Sequence, residues 1–440
     1  MGDILLSRNV AREIDLRKSS PWAKLDSRFK SADLVIGNLE GSVGSIANPA
    51  DSLAKEMIFD IPKKDLKLIK EAGITALSLE NNHSYDLGST SKDSTSIEVL
   101  NAGIQAINFK ISPRFFSLDK YIISVISVNT VPDREGHNEK IPSILLQQKL
   151  RLARSLSNFV IVSIHWGSEL LDWPNNFQRT TAEWLIDNGA DLIIGHHPHV
   201  IQQPEIIKGK PVFFSLGNHL FDQKYSETKE GLMVECIIKN GMAEYNGIIT
   251  HTMKNSYFPE ITRETRFDFP ISKMREATSY SGITIIPVST ENCNENKIIL
   301  EGYQQGRKLW KTTPILLISL EPANFDEKHN YLFTLQDHYS PIDGENGLRP
   351  YVYDITINAL RDLWRGSALS RPLIDATLTP DKKTVVALHR GDSYINPDPS
   401  TKSRLIETYR WNGFGFSGAK DSVAREYGRK YFEPMMNKNR

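Results

Sequence analysis

Ala190-Asp191-Leu192-Ile193-Ile194-Gly195-His196-His197-Pro198-His199-Val200 decides how the first half of this chain is read. A short, continuously apolar run breaks at a glycine and delivers three histidines in four positions. A strand covered on both faces has this look, because a strand wetted on one face would alternate. The proline biases His197 toward extended backbone. Residues i and i+2 of an extended segment share a face, so His197 and His199 are expected to converge on one metal site.

The pattern recurs on both sides of this stretch. Apolar runs lie at 33–36, 74–79, 121–128, 159–164, 191–194 and 211–216, and helical segments between them end at Gly73, Gly103 and Gly189. This β-α alternation predicts a layered α/β domain with a mainly parallel sheet over residues 1–258. Polar clusters follow five of the runs: Glu40, Asn81-Asn82-His83, His165, His196 to His199, and Gly217-Asn218-His219. Ligands of open α/β sheets bind beyond the carboxyl ends of the strands. One histidine at a strand end is more often structural than functional, but five clusters on one rim favour a site. Asn82 offers an amide oxygen to a metal while His83 reaches toward substrate. Asp86 would bond the other ring nitrogen of His83 and fix its tautomer.

A length of 440 residues implies two domains. The 53 basic and 53 acidic residues cancel, which argues against a nucleic-acid binder working by general electrostatics. Cys236 and Cys293 cannot form a disulfide framework, and Cys236 reads as a buried thiol. No apolar run approaches the ~20 residues of a membrane span, and a secretory signal is not evident. The resulting expectation is a cytoplasmic protein. Beyond about residue 282, short alternating segments are separated by turns such as 341–344 and 396–399, with one helical stretch at 355–364. This predicts a β-rich domain at 282–440, joined through a polar boundary at 259–281. No clean repeat supports a propeller.

Six segments occur in order over about residues 2–240: Gly2-Asp3-Ile4-Leu5, Gly37-Asn38-Leu39-Glu40, Asn81-Asn82-His83 with Asp86 and Gly88, Ile164-His165-Trp166-Gly167 with Glu169, residues 195–200, and Ser215-Leu216-Gly217-Asn218. Together they resemble the capsule-synthesis CapA family, a bacterial family associated with poly-γ-glutamate and possessing a calcineurin-like metallophosphoesterase fold. The resemblance implies one or two divalent metal ions, drawn from Mn, Zn, Fe, Mg or Ca. Glu40 would bridge them, Asn82, His165 and His197 would complete one site, and Asp3 with His199 would hold the other. His83, oriented by Asp86, would be the general acid. Arg8, Trp166, Glu169, Asn218 and His219 would contact an anionic or peptide-like substrate, including a polymer.

One departure stands out. The wider superfamily begins Asp-x-His, whereas this chain reads Asp3-Ile4-Leu5, one imidazole short. The Asp3 site is therefore expected to be weaker and harder in character. A first strand is expected at residues 4–6 unless the sequence starts late. The implied function is a metal-dependent hydrolase or phosphoesterase in capsule or poly-γ-glutamate metabolism, working beside capsule-synthesis machinery. Two other readings are a metal-dependent peptide epimerase on the same fold and a non-catalytic scaffold in capsule assembly.

Overall fold

The computed structural model describes residues 1–45, 57–252, 256–276, 279–291, 295–340, 344–366, 368–398 and 400–436. Cys293, the turn at 341–343 and Pro399 fall outside them. The chain divides into two compact units, the first comprising 1–141, 158–276 and 291–295, the second 142–157, 277–290 and 296–440.

Beside a four-stranded antiparallel sheet within 230–273 and two two-stranded ones among the described residues, two large sheets position the site in the first unit. One holds five parallel strands in the order Asn218–Leu220, Asp3–Ile4, Ile36–Leu39, Ala76–Ser78 and Gln105–Ile107. The other is ordered Glu205–Ile207, Lys210–Phe213, Leu192–His196, Phe159–His165, Tyr121–Asn129 and Arg114–Leu118, with parallel inner strands and antiparallel edges. Ala76 and Ile107 of the first sheet share a core with Ile123, Val125, Phe159, Ile161 and Phe213 of the second. The helices Arg8–Arg17 and Leu66–Ala72 bury Val10, Ile14, Leu66 and Ile69 against Ile4, Leu39 and Leu77. Each such side chain contributes about 1.5–3 kcal/mol by leaving water. With both faces covered, the strands need no alternation, which is why their sequences run apolar without a break.

Gly195 has a steric reason. A Cβ there would lie 1.9 Å from the Phe214 carbonyl oxygen and 2.5 Å from Trp166 Nε1. Any side chain would push the strand Leu192–His196 off its neighbours and move the histidines that follow.

Some expectations shift. The run at 33–36 is a strand only from Ile36, because Gly37 and Asn38 continue it beside the short strand Asp3–Ile4. The first strand starts at Asp3 rather than at residue 4. Within the expected boundary at 259–281 the units divide at 276/277, and the residues before the division are not a loose linker: Pro259–Arg266 pairs with Met242–Thr252, and Ser272–Lys273 pairs with the same strand. Pro259–Arg266 is an edge strand with mostly exposed, charged side chains, so its polarity imitates a linker. Cys236, half-buried on the strand Glu230–Lys239, has its thiol pushed up to about 12 by burial.

Among the described residues the second unit contains three successive four-stranded antiparallel sheets, with strands lying within 279–311, 317–365 and 373–418. The segment expected to be helical at 355–364 is instead a hairpin between Glu345–Ile355 and Leu360–Arg365. Thr356 Oγ1 accepts the N–H groups of Asn358 and Ala359 and so closes the turn, a local bond that overrides the helical spacing. The C-terminal helix Ser422–Met436 packs Ala424 and Phe432 on Val386, Leu388 and Ile406. The helix Ile144–Leu156 also belongs to this unit, where Arg151 makes two bonds to Asp375, of 2.6 and 3.3 Å, and one of 2.9 Å to Tyr431.

His389 is fully buried in the same unit. Its Nδ1–H donates to the Arg371 carbonyl (3.0 Å), and Nε2 accepts the Tyr409 hydroxyl (2.8 Å). Burial holds the ring below its ordinary value of 6.5. The unfolded chain takes up this proton first, so the stability contributed by neutral His389 is present above 6.5 and lost as pH falls through the lower folded value. Between about pH 7.5 and pH 5 the melting temperature of wild type should fall more than that of His389→Gln. Equal slopes for the two proteins would refute this.

Candidate metal centre

The carboxyl ends of both sheets meet at one rim. Asp3 lies opposite Asn38 and Asn218 in the first sheet, and His165 lies opposite Asn129 and His196 in the second. Asp3 is fully buried and ties the two together. Its Oδ1 accepts from Asn38 Nδ2 (2.8 Å) and sits 3.0 Å from His196 Nδ1. Its Oδ2 accepts the His197 backbone N–H at 3.4 Å and lies 3.5 Å from His199 Nδ1. Burial alone would raise this carboxyl, but the bonds to His196 and His199 outweigh it and hold Asp3 well below the usual carboxylate range.

Glu40 follows the strand Ile36–Leu39 and is also fully buried, yet neither carboxylate oxygen has a hydrogen-bond partner among the described residues. The nearest ring nitrogens are His199 Nε2 at 3.6 Å and His83 Nε2 at 4.0 Å. Burial pushes Glu40 well above its ordinary value, with His199 opposing in part. A buried carboxylate without a donor is costly. A divalent cation would supply the missing partner, and the residues present fit one.

The histidines divide in character. Burial and neighbouring imidazoles push His165 well below 6.5 and His197 to about 3, which leaves both neutral, as metal ligands must be. Their Nδ1 atoms are buried without a hydrogen-bond partner among the described residues, and their rings lie 4.8 Å apart. His165 Nε2 is 2.9 Å from the amide oxygen of Asn82. Burial opposes charge on His199 too, but Glu40 and Asp3 overcome it and raise the ring to about 9 without metal, a proton that a bound cation would displace.

His197 and His199 do converge, but not by the expected route. The strand stops at His196, and the two residues adopt φ of +97° and +59°. The segment is a turn with two left-handed histidines flanking Pro198, not an extended ribbon. Non-glycine residues rarely adopt this backbone, at a cost of roughly 1–3 kcal/mol each. Such strain concentrates where a side chain must be aimed.

His83 stands at the edge of the cluster. Its Nδ1 is 2.8 Å from Asp86 Oδ2, which also accepts the Phe59 backbone N–H at 2.8 Å. The Phe59 ring stacks on the imidazole at 3.7 Å, and Arg134 Nε lies 3.0 Å from the other Asp86 oxygen. Asp86 therefore fixes the Nδ1–H tautomer and leaves Nε2 toward Glu40. Phe59 and Arg134 carried no sequence signal, because their roles arise only from packing around His83.

The residues implied as substrate contacts scatter. Arg8 pairs with Asp222 and lies 4.5 Å over the Phe59 ring. Asn218 Oδ1 is 2.9 Å from His199 Nδ1. Trp166 is a core residue, fully buried with its Nε1 donating to the Phe214 carbonyl (2.8 Å). His219 faces away from the rim: its Nε2 accepts Trp22 Nε1 at 3.1 Å, and burial pushes the ring to about 3. Alternation along the strand Asn218–Leu220 sends residue 219 to the face opposite Asn218. Sequence reading also missed His196 as a partner of Asp3. Its place just after the run at 191–194 was the available signal.

Two triads emerge from ligand-atom spacing. One atom each from Asp3, Glu40 and His165 lie within 4.8 Å of one another, and so do atoms of Glu169, His197 and His199. This grouping cuts across the one the resemblance implies.

Comparison with known proteins follows this geometry. The chain is 28% identical over 261 residues to the PGA biosynthesis protein CapA of Bacillus subtilis, covering 56% of this chain and 68% of that protein. It is 30% identical over 268 residues to the capsule biosynthesis protein CapA of Bacillus anthracis, covering 55% and 64% respectively. The chain thus spans about two thirds of each relative, and about 45% of it lies beyond either match. Among solved structures, a phosphatase from Mycoplasma pneumoniae aligns over 62% of this chain at TM-score 0.35 and 16% identity. The description "Bacterial capsule synthesis protein PGA_cap" matches residues 1–110 and 125–223, a span that contains every side chain of the cluster. Over these residues the chain matches the bacterial capsule synthesis PGA_cap family and is similar to the two CapA proteins.

Proposed function

We propose that the chain is a metal-dependent hydrolase of the phosphoesterase type acting in capsule or poly-γ-glutamate metabolism. The observation that carries this reading is Glu40, buried without a hydrogen-bond donor beside Asp3 and the imidazoles of His165, His197 and His199. These residues, with Asn82, would hold one or two divalent cations, and the mixture of imidazole and carboxylate suits Mn, Zn or Fe. A cation there would polarise a phosphoryl or carbonyl oxygen and lower the pKa of a bound water. The protein's own part is placement. Asp3 is kept ionised by His196 and His199, while Asp86, accepting from Nδ1–H, and Phe59 hold His83 so that, as the imidazolium, its Nε2–H would give a proton to the leaving group. The polymer context comes from the relatives' names. No described helix is long and apolar enough to cross a membrane.

The test uses the purified chain with Mn²⁺ or Zn²⁺ and a generic phosphodiester. Hydrolysis should vanish on chelation and in His197→Ala; activity surviving both would refute the proposal. His83→Ala should lower kcat by about 10²–10⁴ on an ester with a poor leaving group. The deficit should shrink on a nitrophenyl ester, whose leaving group departs without a proton. An equal deficit on both would remove His83 from the general-acid role.

A further inference from the structure

The mouth of the site holds a carboxylate unlike the buried ones. Glu169 is exposed, yet one of its oxygens lies within 4.8 Å of a ring nitrogen of His197 and of His199. An exposed acid near a histidine is ordinary. This one is held in place. The turn that carries it is stitched to the histidine turn by two main-chain bonds, Trp166 N–H to His196 O at 3.1 Å and Leu170 N–H to Pro198 O at 2.9 Å. The second bond lands on the residue between the two histidines. Gly167, at φ +85°, starts the turn where a Cβ would lie 2.8 Å from the side-chain amide carbon of Gln178, and Leu170 closes it at φ +63°. Gln178 is itself fixed by the capping box of the helix Asn176–Asp187 and by a 2.9 Å bond to Gln202.

We propose that Glu169 is a metal ligand which, with His197 and His199, completes a second cation site at the mouth, distinct from that of Asp3, Glu40 and His165. The inference rests on the metal reading above and deepens it. His197 is the independent pointer: it is 6% exposed, its Nδ1 has no hydrogen-bond partner among the described residues, and its backbone is strained to aim the ring. Charge argues the same way. Beside the carboxylates of Asp3 and Glu40, Glu169 would bring a third negative charge to two neighbouring divalent cations. A third carboxylate makes the mouth site richer in oxygen and so more tolerant of Mn or Mg than an all-imidazole site. Being exposed, it would also exchange its ion more freely than the buried site.

The experiment titrates metal-free chain with Mn²⁺ alone by calorimetry, and counts bound metal by elemental analysis after desalting, for wild type, Glu169→Gln and Glu169→Asp. Wild type should take up two equivalents of different affinity. Glu169→Gln should weaken the looser one by about tenfold or more, since even loss of a ligand's supporting partner costs 10–100-fold. The tighter equivalent should be unchanged, and Glu169→Asp should fall between. If Glu169→Gln keeps both equivalents within about twofold of wild type, the inference is overturned while the metal reading stands. If wild type binds no Mn²⁺ or Zn²⁺, the metal reading itself fails. Because Glu169 is exposed, its neutralisation should leave the melting temperature of the metal-free chain unaltered, so a loss of metal would not be a loss of fold.

Discussion

Glu40→Gln is expected to abolish metal loading and metal-dependent hydrolysis while leaving the metal-free fold at least as stable as wild type. The two side chains have the same shape, so packing is kept and only the charge goes. Loss of a buried ligand should lower metal affinity by about a hundredfold or more, the upper end of what outer partners cost. The stability half of the prediction follows from burial. Glu40 is raised above its ordinary value of 4.5, so the stability it contributes when protonated is present below 4.5 and lost as pH rises through the folded value. Near neutral pH, metal-free wild type carries this penalty and the Gln variant does not. Their melting temperatures should differ in favour of the variant at about pH 7.5 and converge toward about pH 4.5. Metal should reverse the order, since a ligand at a hundred times its Kd stabilises by about 2.7 kcal/mol and acts on wild type alone. A variant that is less stable than wild type without metal would show that Glu40 has a structural partner instead.

Asp375→Ala should destabilise the second unit by about 3–5 kcal/mol, the scale of a broken buried ion pair. Asp375 is fully buried and Arg151 only 12% exposed, and guanidinium cannot shed its proton to escape. The burial penalty of Arg151 is outweighed by Asp375 and Tyr431, which hold the guanidinium well above its ordinary value. Removing Asp375 leaves that charge unanswered, so Arg151→Met with Asp375→Ala together should recover much of the loss. The surface pair Lys30–Asp26, 55% and 36% exposed, offers the control: its removal should cost no more than about 1 kcal/mol. Chemical denaturation measures all three against wild type. A small effect of Asp375→Ala would mean that water reaches Arg151.

Much of the site was legible because its chemistry lies at strand ends, and strand ends are marked by where apolar runs stop. Glu40, Asn82, His165, His197 and His199 follow that rule, Asp3 comes from the resemblance alone, and the structure brings all six to one rim. What failed was local backbone. Pro198 suggested an extended ribbon, and the structure instead bends His197 and His199 into left-handed conformations. His219 belongs to the cluster beyond the run at 211–216, but alternation turns it toward Trp22. In the second unit the strands were read from alternation, yet 355–364 has helical spacing and is a hairpin because Thr356 closes a turn. The three four-stranded sheets there repeat in architecture without repeating in sequence. Antiparallel neighbours need only matching faces, and many residues meet that demand.

The helix Ile144–Leu156 has a consequence for how the chain is made. It leaves the ribosome between two strands of the first unit, Tyr121–Asn129 and Phe159–His165, which pair with each other. Its own partners come much later: Gln148 bonds the Ile374 carbonyl and Arg151 needs Asp375. Until they are synthesised, Leu146, Leu150, Leu152 and Leu156 lack the cover they have in the finished unit. A nascent chain in this state exposes an apolar stripe with a charge in its middle, a species prone to aggregate. A fragment ending at residue 276 would remain in that state permanently. Cutting the gene at the apparent domain boundary should therefore give insoluble protein, even though every residue of the metal site would be present.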